Sequence, residues 1–384
     1  MSGAWPGSDD PIVAEIRRVA ADLGLARRSR ELDRTCEFPR PEFLALGRAG
    51  LLGLTVPHRL GGRGLPLPRA GAALYHLAYE GGTTFAKLAL QPEFSSVLAD
   101  HGSQELVDGW FRPLVAGTRL VANQITEPEA GADAAAIALR AARDGDGYRL
   151  TGRKSEVAFA LDAEAAIVYG RTAPGPGAEG ITAFLVPQDL PGISRIPGDG
   201  DLGERWQRRG SVTYDRVLVP SGMRLGDEGA AFGYARRELT RERALLAAIY
   251  LGVARASWDE TVRYVGERSA FGRPLSSQQA VAFPLVEDDA ELDAAGLYVA
   301  RTLARLAEGE DAEADAALAK WMATEVALRT IDHAIQFHGG RGYSATLPHE
   351  QRWRDVRSGR IAHGPSEIMH LVAARKLWPR ARGR

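Results

Sequence analysis

The chain is predicted to fold in three parts: an N-terminal α-helical domain over residues 1–118, a middle β-barrel-like domain over 119–225 and a C-terminal four-helix bundle over 226–384. Three observations lead there. Hydrophobic residues recur at helical spacing, give way to short alternating runs punctuated by Pro and Gly, and then return to helical spacing in much longer stretches. A chain of 384 residues is also too long for one compact core. Finally, the long C-terminal stretches follow one another in series, the pattern of an antiparallel bundle.

In chain order, Asp10 before Pro11 supplies an N-cap and a first-turn proline ahead of IVAEIRRVAADLGLARRS. PEFLALGRAGLLGL and ALYHLAYEGG repeat the helical pattern, with GGRGLPLP at 61–68 as the break between them. In the middle segment, IALRAARDGDGYRLTG sets an Asp-Gly turn between alternating stretches, a hairpin signal. AAIVYGRT, ITAFLVP and SVTYDRVLVP follow as short β-rich runs. Beyond residue 226, RRELTRERALLAAIYLGVARASWDETVRYVGERS keeps apolar residues three and four apart without a breaker. The last long helix stops at Gly339-Gly340.

Composition excludes several classes. With 48 basic and 49 acidic side chains the formal charge is −1, which gives no footprint for nucleic acid. One cysteine, Cys36, excludes an internal disulfide and a cysteine-built metal site, and fits a reducing compartment. The start, MSGAWPGSDDPIVAEIRR, has no basic head followed by an apolar core, so no signal peptide is read. No stretch nears the roughly 18 apolar residues of a membrane span. A cytoplasmic protein is expected.

GDGDLG at 198–203 has the spelling of a dinucleotide fingerprint but the wrong context: Pro197 precedes it, no helix follows, and Asp199 and Asp201 would repel a pyrophosphate. His333 and His338 are off the spacing for two ligands on one helix face, and no metal is expected.

Four motifs carry chemistry only when taken together. QITEPEAGAD (124–133) offers backbone N–H groups and the Thr126 hydroxyl to a ring edge, or is a plain turn. ERSAFGRPLSSQQAVAF (267–283) combines an arginine, an aromatic and two glutamines able to clamp phosphates and stack on a base, or is a solvated helix end. AIQFHGGRGYS (334–344) has glycines that allow close backbone approach, and RWRDVRSGRIAHGPSEI (352–368) has a basic run.

In this order, the four resemble the acyl-CoA dehydrogenase family, over roughly residues 10 to 378. The resemblance implies FAD, an acyl-CoA or acyl-carrier-protein substrate, electron-transfer flavoprotein as acceptor, a homo-oligomer, and dehydrogenation next to the thioester carbonyl. It implies that Gln124, Ile125 and Thr126, with Val157 and Ala158, face the flavin. Arg268, Phe271 and Gln279 would hold the FAD of a neighbouring subunit, with Gln336, Gly339 and Gly340. Pro365, Ser366 and Glu367 would form the cofactor loop, while Arg243, Ala132 and His363 would lie at the substrate.

The chain also departs from the family pattern. Where members read roughly K-x-W-I-T-N-G, this chain reads KSEVAFA (154–160), so Glu156 replaces the tryptophan and Ala158 the threonine. Ala132 replaces a serine, Pro365 a threonine, and His363 the common catalytic glutamate. Dehydrogenation needs a base, because the carbanion beside the carbonyl is too high in energy unless hydride leaves the next carbon at the same time. Glu242 precedes Leu245, Leu246 and Ile249 at spacings of three, four and seven, which puts an acid at the head of an apolar stripe. Pattern alone leaves open that Glu242 reaches water or pairs with Arg241 or Arg243. A branch of the family that includes isovaleryl- and long-chain-type members carries its glutamate on this helix before an arginine, and Glu242-Arg243 occupies that place. The resemblance therefore makes Glu242 the base and His363 a pocket wall or hydrogen-bond partner. The altered flavin wall also admits an oxidase or monooxygenase reaction, and loss of the usual glutamate admits a non-catalytic FAD-binding member. The altered pocket hints at an unusual acyl chain, a carrier-bound thioester of a secondary-metabolite pathway, or a shifted desaturation position.

Overall fold

In the computed structural model, which describes residues 10–173, 175 and 177–378, three layers of texture follow one another along the chain. The reading of the extreme N-terminus as leaderless falls mostly on residues outside those described. The first helices are α1 (Pro11–Leu23), α2 (Leu25–Thr35), α3 (Arg40–Arg48) and α4 (Leu67–Ala89), then the short α5 (Ser96–His101), α6 (Gln104–Leu106) and α7 (Arg112–Val115). The Asp10 carboxylate accepts from the Ile12 amide at 2.9 Å, which satisfies one of the amides a helix start leaves unpaired. The helix ends at Gly24, whose φ of 60° suits a residue without a Cβ. Inside α4, Gly82 (φ 74°, ψ −173°) breaks the helical geometry at a kink.

The sheet comprises β1 (Val121–Gln124), β2 (Arg140–Asp144), β3 (Gly147–Val157), β4 (Ala165–Arg171), β5 (Ile181–Pro187), β6 (Ile193–Pro197), β7 (Gly210–Pro220) and β8 (Arg224–Leu225). Its path is β6-β7-β3-β2-β4-β5-β8, with β1 parallel on β4. The Asp-Gly hairpin joins β2 to β3 with Asp144 opposite Gly147. In β4 and β5 every residue but the last is buried, as expected of strands covered on both faces. GDGDLG is no nucleotide loop: Asp201 binds Arg209, and a Cβ on Gly203 would collide with the backbone of Arg354.

The remainder is α8 (Ala231–Glu267), a small ribbon of β9 (Ser269–Ala270) and β10 (Arg273–Pro274), α9 (Gln279–Ala307), α10 (Glu313–Phe337), α11 (Gly340–Tyr343), α12 (His349–Arg357) and α13 (Ser366–Leu377). The 37-residue α8 is the spine, packed against α4 of the first part and against α9 and α10 of the last. Buried ion pairs tie the parts together. Arg354 on α12 forks onto both oxygens of Asp33 on α2, at 2.9 and 2.6 Å. Arg354→Leu leaves that carboxylate largely buried without its fork, and is expected to cost about 3 kcal/mol in chemical denaturation.

Candidate active site

The candidate site forms where the N-terminal half of α8 meets the loop between α12 and α13. Leu245, Leu246 and Ile249 are fully buried, and the same helical face carries Glu242 inward, to 3% exposure. There its Oε2 lies 2.9 Å from Nδ1 of His363. Neither adjacent arginine is its partner. Arg241 reaches Glu93 at 3.1 Å, and Arg243 donates from Nε to the carbonyl of His363 at 3.0 Å.

Burial raises the Glu242 carboxyl to a pKa of about 8, against the pull of Arg243 and Arg241. Burial, with the positive charges of Lys320, Lys87 and Arg243, lowers the His363 imidazole to about 3, so the ring is neutral. A neutral ring can donate Nδ1–H to the ionised carboxylate, which ties down Oε2 and leaves Oε1 with no hydrogen bond among the described residues. His363 has a left-handed backbone, φ 55°, a conformation that costs a non-glycine residue about 1 kcal/mol. Its ring stacks on Phe94 with centroids 4.9 Å apart.

One turn before Glu242, Glu238 accepts from the Ser96 hydroxyl at 2.7 Å and from the Val97 amide. Burial and the neighbouring Glu242 push its carboxyl well above the usual range. Glu238, Phe94 and the buried Lys320 escape the sequence reading. Glu238 and Lys320 left a signal, each being a charged residue at helical spacing among apolar ones; Phe94 left none.

The loop after β1 is fixed from below. Lys154, wholly buried, donates to the Ile125 carbonyl and to Glu127, each at 2.8 Å. Glu127 in turn accepts from the amides of Ala138 and Leu139, and the Ser155 amide donates to the Thr126 carbonyl at 3.0 Å. Gln124 does not present its side chain outward. Strand alternation turns it inside, where Tyr214 donates to it at 2.7 Å and Gln188 lies at 3.3 Å. Ile125 and the half-buried Thr126 form the outward part, and the Thr126 hydroxyl makes no hydrogen bond among the described residues. At the end of β3, Glu156 has φ 54° and points to Arg209 at 3.3 Å, while Val157 is buried and Ala158 half-buried, so none of these three supplies an aromatic wall.

Other expected residues lie elsewhere. Arg268, Phe271, Gln279, Gln336, Gly339 and Gly340 are all exposed, Phe271 at 96%. A Cβ on Gly339 or Gly340 would meet no atom within 4 Å. These residues therefore make no enclosed site within one copy of the chain. Pro365 precedes α13, and Ser366 and Glu367 form its first turn, where amides have no partner within the helix. Ala132 is on an exposed turn. The residues present thus fit FAD. Lys154→Met should loosen the β1 loop and weaken FAD retention about tenfold or more, as measured by flavin released on dilution.

A buried carboxyl with a raised pKa on α8 and an outward loop after β1 that leaves the Thr126 hydroxyl available are together compatible with a flavin-dependent oxidoreductase. The chain belongs to the acyl-CoA dehydrogenase family: residues 9–118, 122–217 and 229–378 match its N-terminal, middle and C-terminal domains. Members are FAD-dependent oxidoreductases acting on CH–CH groups. The probable acyl-CoA dehydrogenase YngJ of Bacillus subtilis is 32% identical, over 96% of this chain and 98% of its own length. The caffeyl-CoA reductase-Etf complex subunit CarC of Acetobacterium woodii is 28% identical over 94% and 97%. Among solved structures, the prolyl acyl carrier protein oxidase AnaB superposes with a TM-score of 0.91 at 25% identity, covering 98% of this chain and all of that one. Among the described residues, no helix is long and apolar enough to cross a membrane.

Proposed function

We propose that this protein is an FAD-dependent acyl-thioester dehydrogenase whose base is Glu242, working as a pair with His363. The observation that carries the reading is the 2.9 Å contact between the buried Glu242 carboxyl and the histidine that stands where the loop lacks its carboxylate. FAD supplies the hydride acceptor. Glu242 takes the proton from the carbon next to the thioester carbonyl at its free Oε1. Nδ1–H of His363 holds Oε2 and aims the carboxylate. Arg243 holds the His363 carbonyl, and Ile125, Thr126, Val157 and Ala158 border the flavin, with Ser366 and Glu367 at the helix start beside it. The product is an enoyl thioester.

Arg268, Phe271, Gln279, Gln336, Gly339 and Gly340 serve the cofactor of a second copy, which makes the working form a homo-oligomer. By analogy with CarC, electrons leave to an electron-transfer flavoprotein in the cytoplasm. By analogy with AnaB, a carrier-bound thioester joins acyl-CoA as a substrate class.

The test is an anaerobic titration of the FAD-loaded protein with short, branched and aminoacyl thioesters, each on CoA and on a carrier protein. Bleaching of the flavin by one of them supports the reading and identifies the carrier. Absence of bleaching across the panel contradicts it. A second prediction concerns pH. Only the ionised carboxylate accepts a proton, so kcat/KM should rise about tenfold per pH unit below the Glu242 pKa of about 8 and level off above it. A flat profile between pH 6 and 9 would count against Glu242.

A further inference from the structure

The loop that carries His363 is gripped by cations from two helices. Lys320 on α10 donates from Nζ to the carbonyls of Ala362 and Gly364, at 2.5 and 2.6 Å. Arg243 on α8 donates to the carbonyl between them, that of His363. Three successive carbonyls thus turn toward two positive groups, an arrangement that a strand, with its alternating carbonyls, does not provide. The left-handed backbone of His363 lies at the centre of this arrangement.

Lys320 is 1% exposed and makes no ion pair among the described residues. An ammonium buried against carbonyls alone is costly, and the spacing around it is otherwise filled by Ala316, Ala319 and Ala323, all fully buried. Burial and the repulsion of Arg243 and Lys87 bring its pKa down to about 7. A side chain serving only to fill the core would be cheaper as an apolar one.

We propose that Lys320 is a positioning residue for proton transfer: by holding the carbonyls on either side of His363 it fixes the backbone turn that brings Nδ1 onto Glu242. This rests on Glu242 being the base. Lys320 makes no hydrogen bond to Glu242 among the described residues, and because the Gly364 carbonyl it holds leads directly into Pro365 and Ser366, FAD content is the control that separates an effect through His363 from one through the cofactor loop.

The experiment is a double-mutant cycle. Anaerobic flavin reduction is timed in the wild type, Lys320→Met, His363→Ala and the double variant, using the thioester from the panel above that bleaches the wild type fastest. FAD content and melting temperature are checked first. Lys320→Met should slow reduction about 30-fold in the wild type, but by less than about threefold in the His363→Ala background. A ligand-free readout accompanies it: with ¹⁵N-labelled histidine, the hydrogen-bonded Nδ1 proton of His363 should be visible in the wild type and lost in Lys320→Met. Equal slowing in both backgrounds, or a Lys320→Met rate within about threefold of wild type, overturns the proposal. Should Lys320→Met lose FAD, Lys320→Gln, which keeps an N–H donor, enters the same cycle under the same criteria. A Glu242→Gln variant that reduces its flavin at the wild-type rate would remove the base assignment itself, independently of the cycle.

Discussion

Glu242→Gln is expected to slow flavin reduction by an acyl thioester by up to roughly 10⁴-fold, the upper end of the 10²- to 10⁴-fold range that removal of a positioned general base produces. The substitution is close to isosteric, and the amide oxygen can still accept from Nδ1–H of His363, so FAD content should not change. Stability offers an independent readout with a definite sign. Burial raises the carboxyl from 4.5 to about 8, so between these values the native state binds a proton that the unfolded state has released. Native stability then falls as pH rises through that window. Glutamine has no such proton. Measured against the wild type, the variant should therefore gain in melting temperature from pH 5 to pH 8. Equal pH dependence of the two proteins would mean that Glu242 does not carry the raised pKa.

His363→Ala is expected to slow the same step by about 10²-fold, less than loss of the base because Oε1 still faces the substrate. Three things go together: the Nδ1 contact at 2.9 Å, the ring stacked on Phe94, and the neutral partner that keeps the carboxylate aimed. Without the Nδ1–H donor the ionised form of Glu242 loses the one hydrogen bond it has among the described residues, so its pKa should move further up. The rising limb of the pH–rate profile should shift to higher pH in stopped-flow reduction. An unshifted limb with a slowed rate would mean that His363 acts as pocket wall alone.

How far the site is legible from the sequence depends on the length of the element that carries each residue. Glu242 lies on a helix long enough for its spacing from Leu245, Leu246 and Ile249 to fix which way it faces, and it does face inward. Its partner is not legible that way, because His363 is 121 positions distant and the loop's path depends on Lys320 and Arg243. Gln124 ends a four-residue strand, too short for alternation to say which face is the interior, and its side chain turns in toward Tyr214. Glu156 stands in a departure from the family pattern that leaves the flavin edge in doubt. The structure gives a physical reason for the acid there, the ion pair with Arg209 at 3.3 Å, made from a left-handed backbone that glutamate adopts only at a cost. The helical, sheet and helical parts are the most legible feature, since long periodic runs and an Asp-Gly hairpin report local geometry that packing does not overturn.

The most direct test of Glu242 as base separates proton removal from hydride transfer. A thioester whose β-carbon is replaced by sulfur has no hydride to give, but it keeps the acidic hydrogens next to the carbonyl. Incubated with the FAD-loaded protein in D₂O, it should take up deuterium at that carbon with the wild type, more slowly with His363→Ala, and not above background with Glu242→Gln. Deuterium uptake by Glu242→Gln at the wild-type rate would contradict the account and place the base elsewhere.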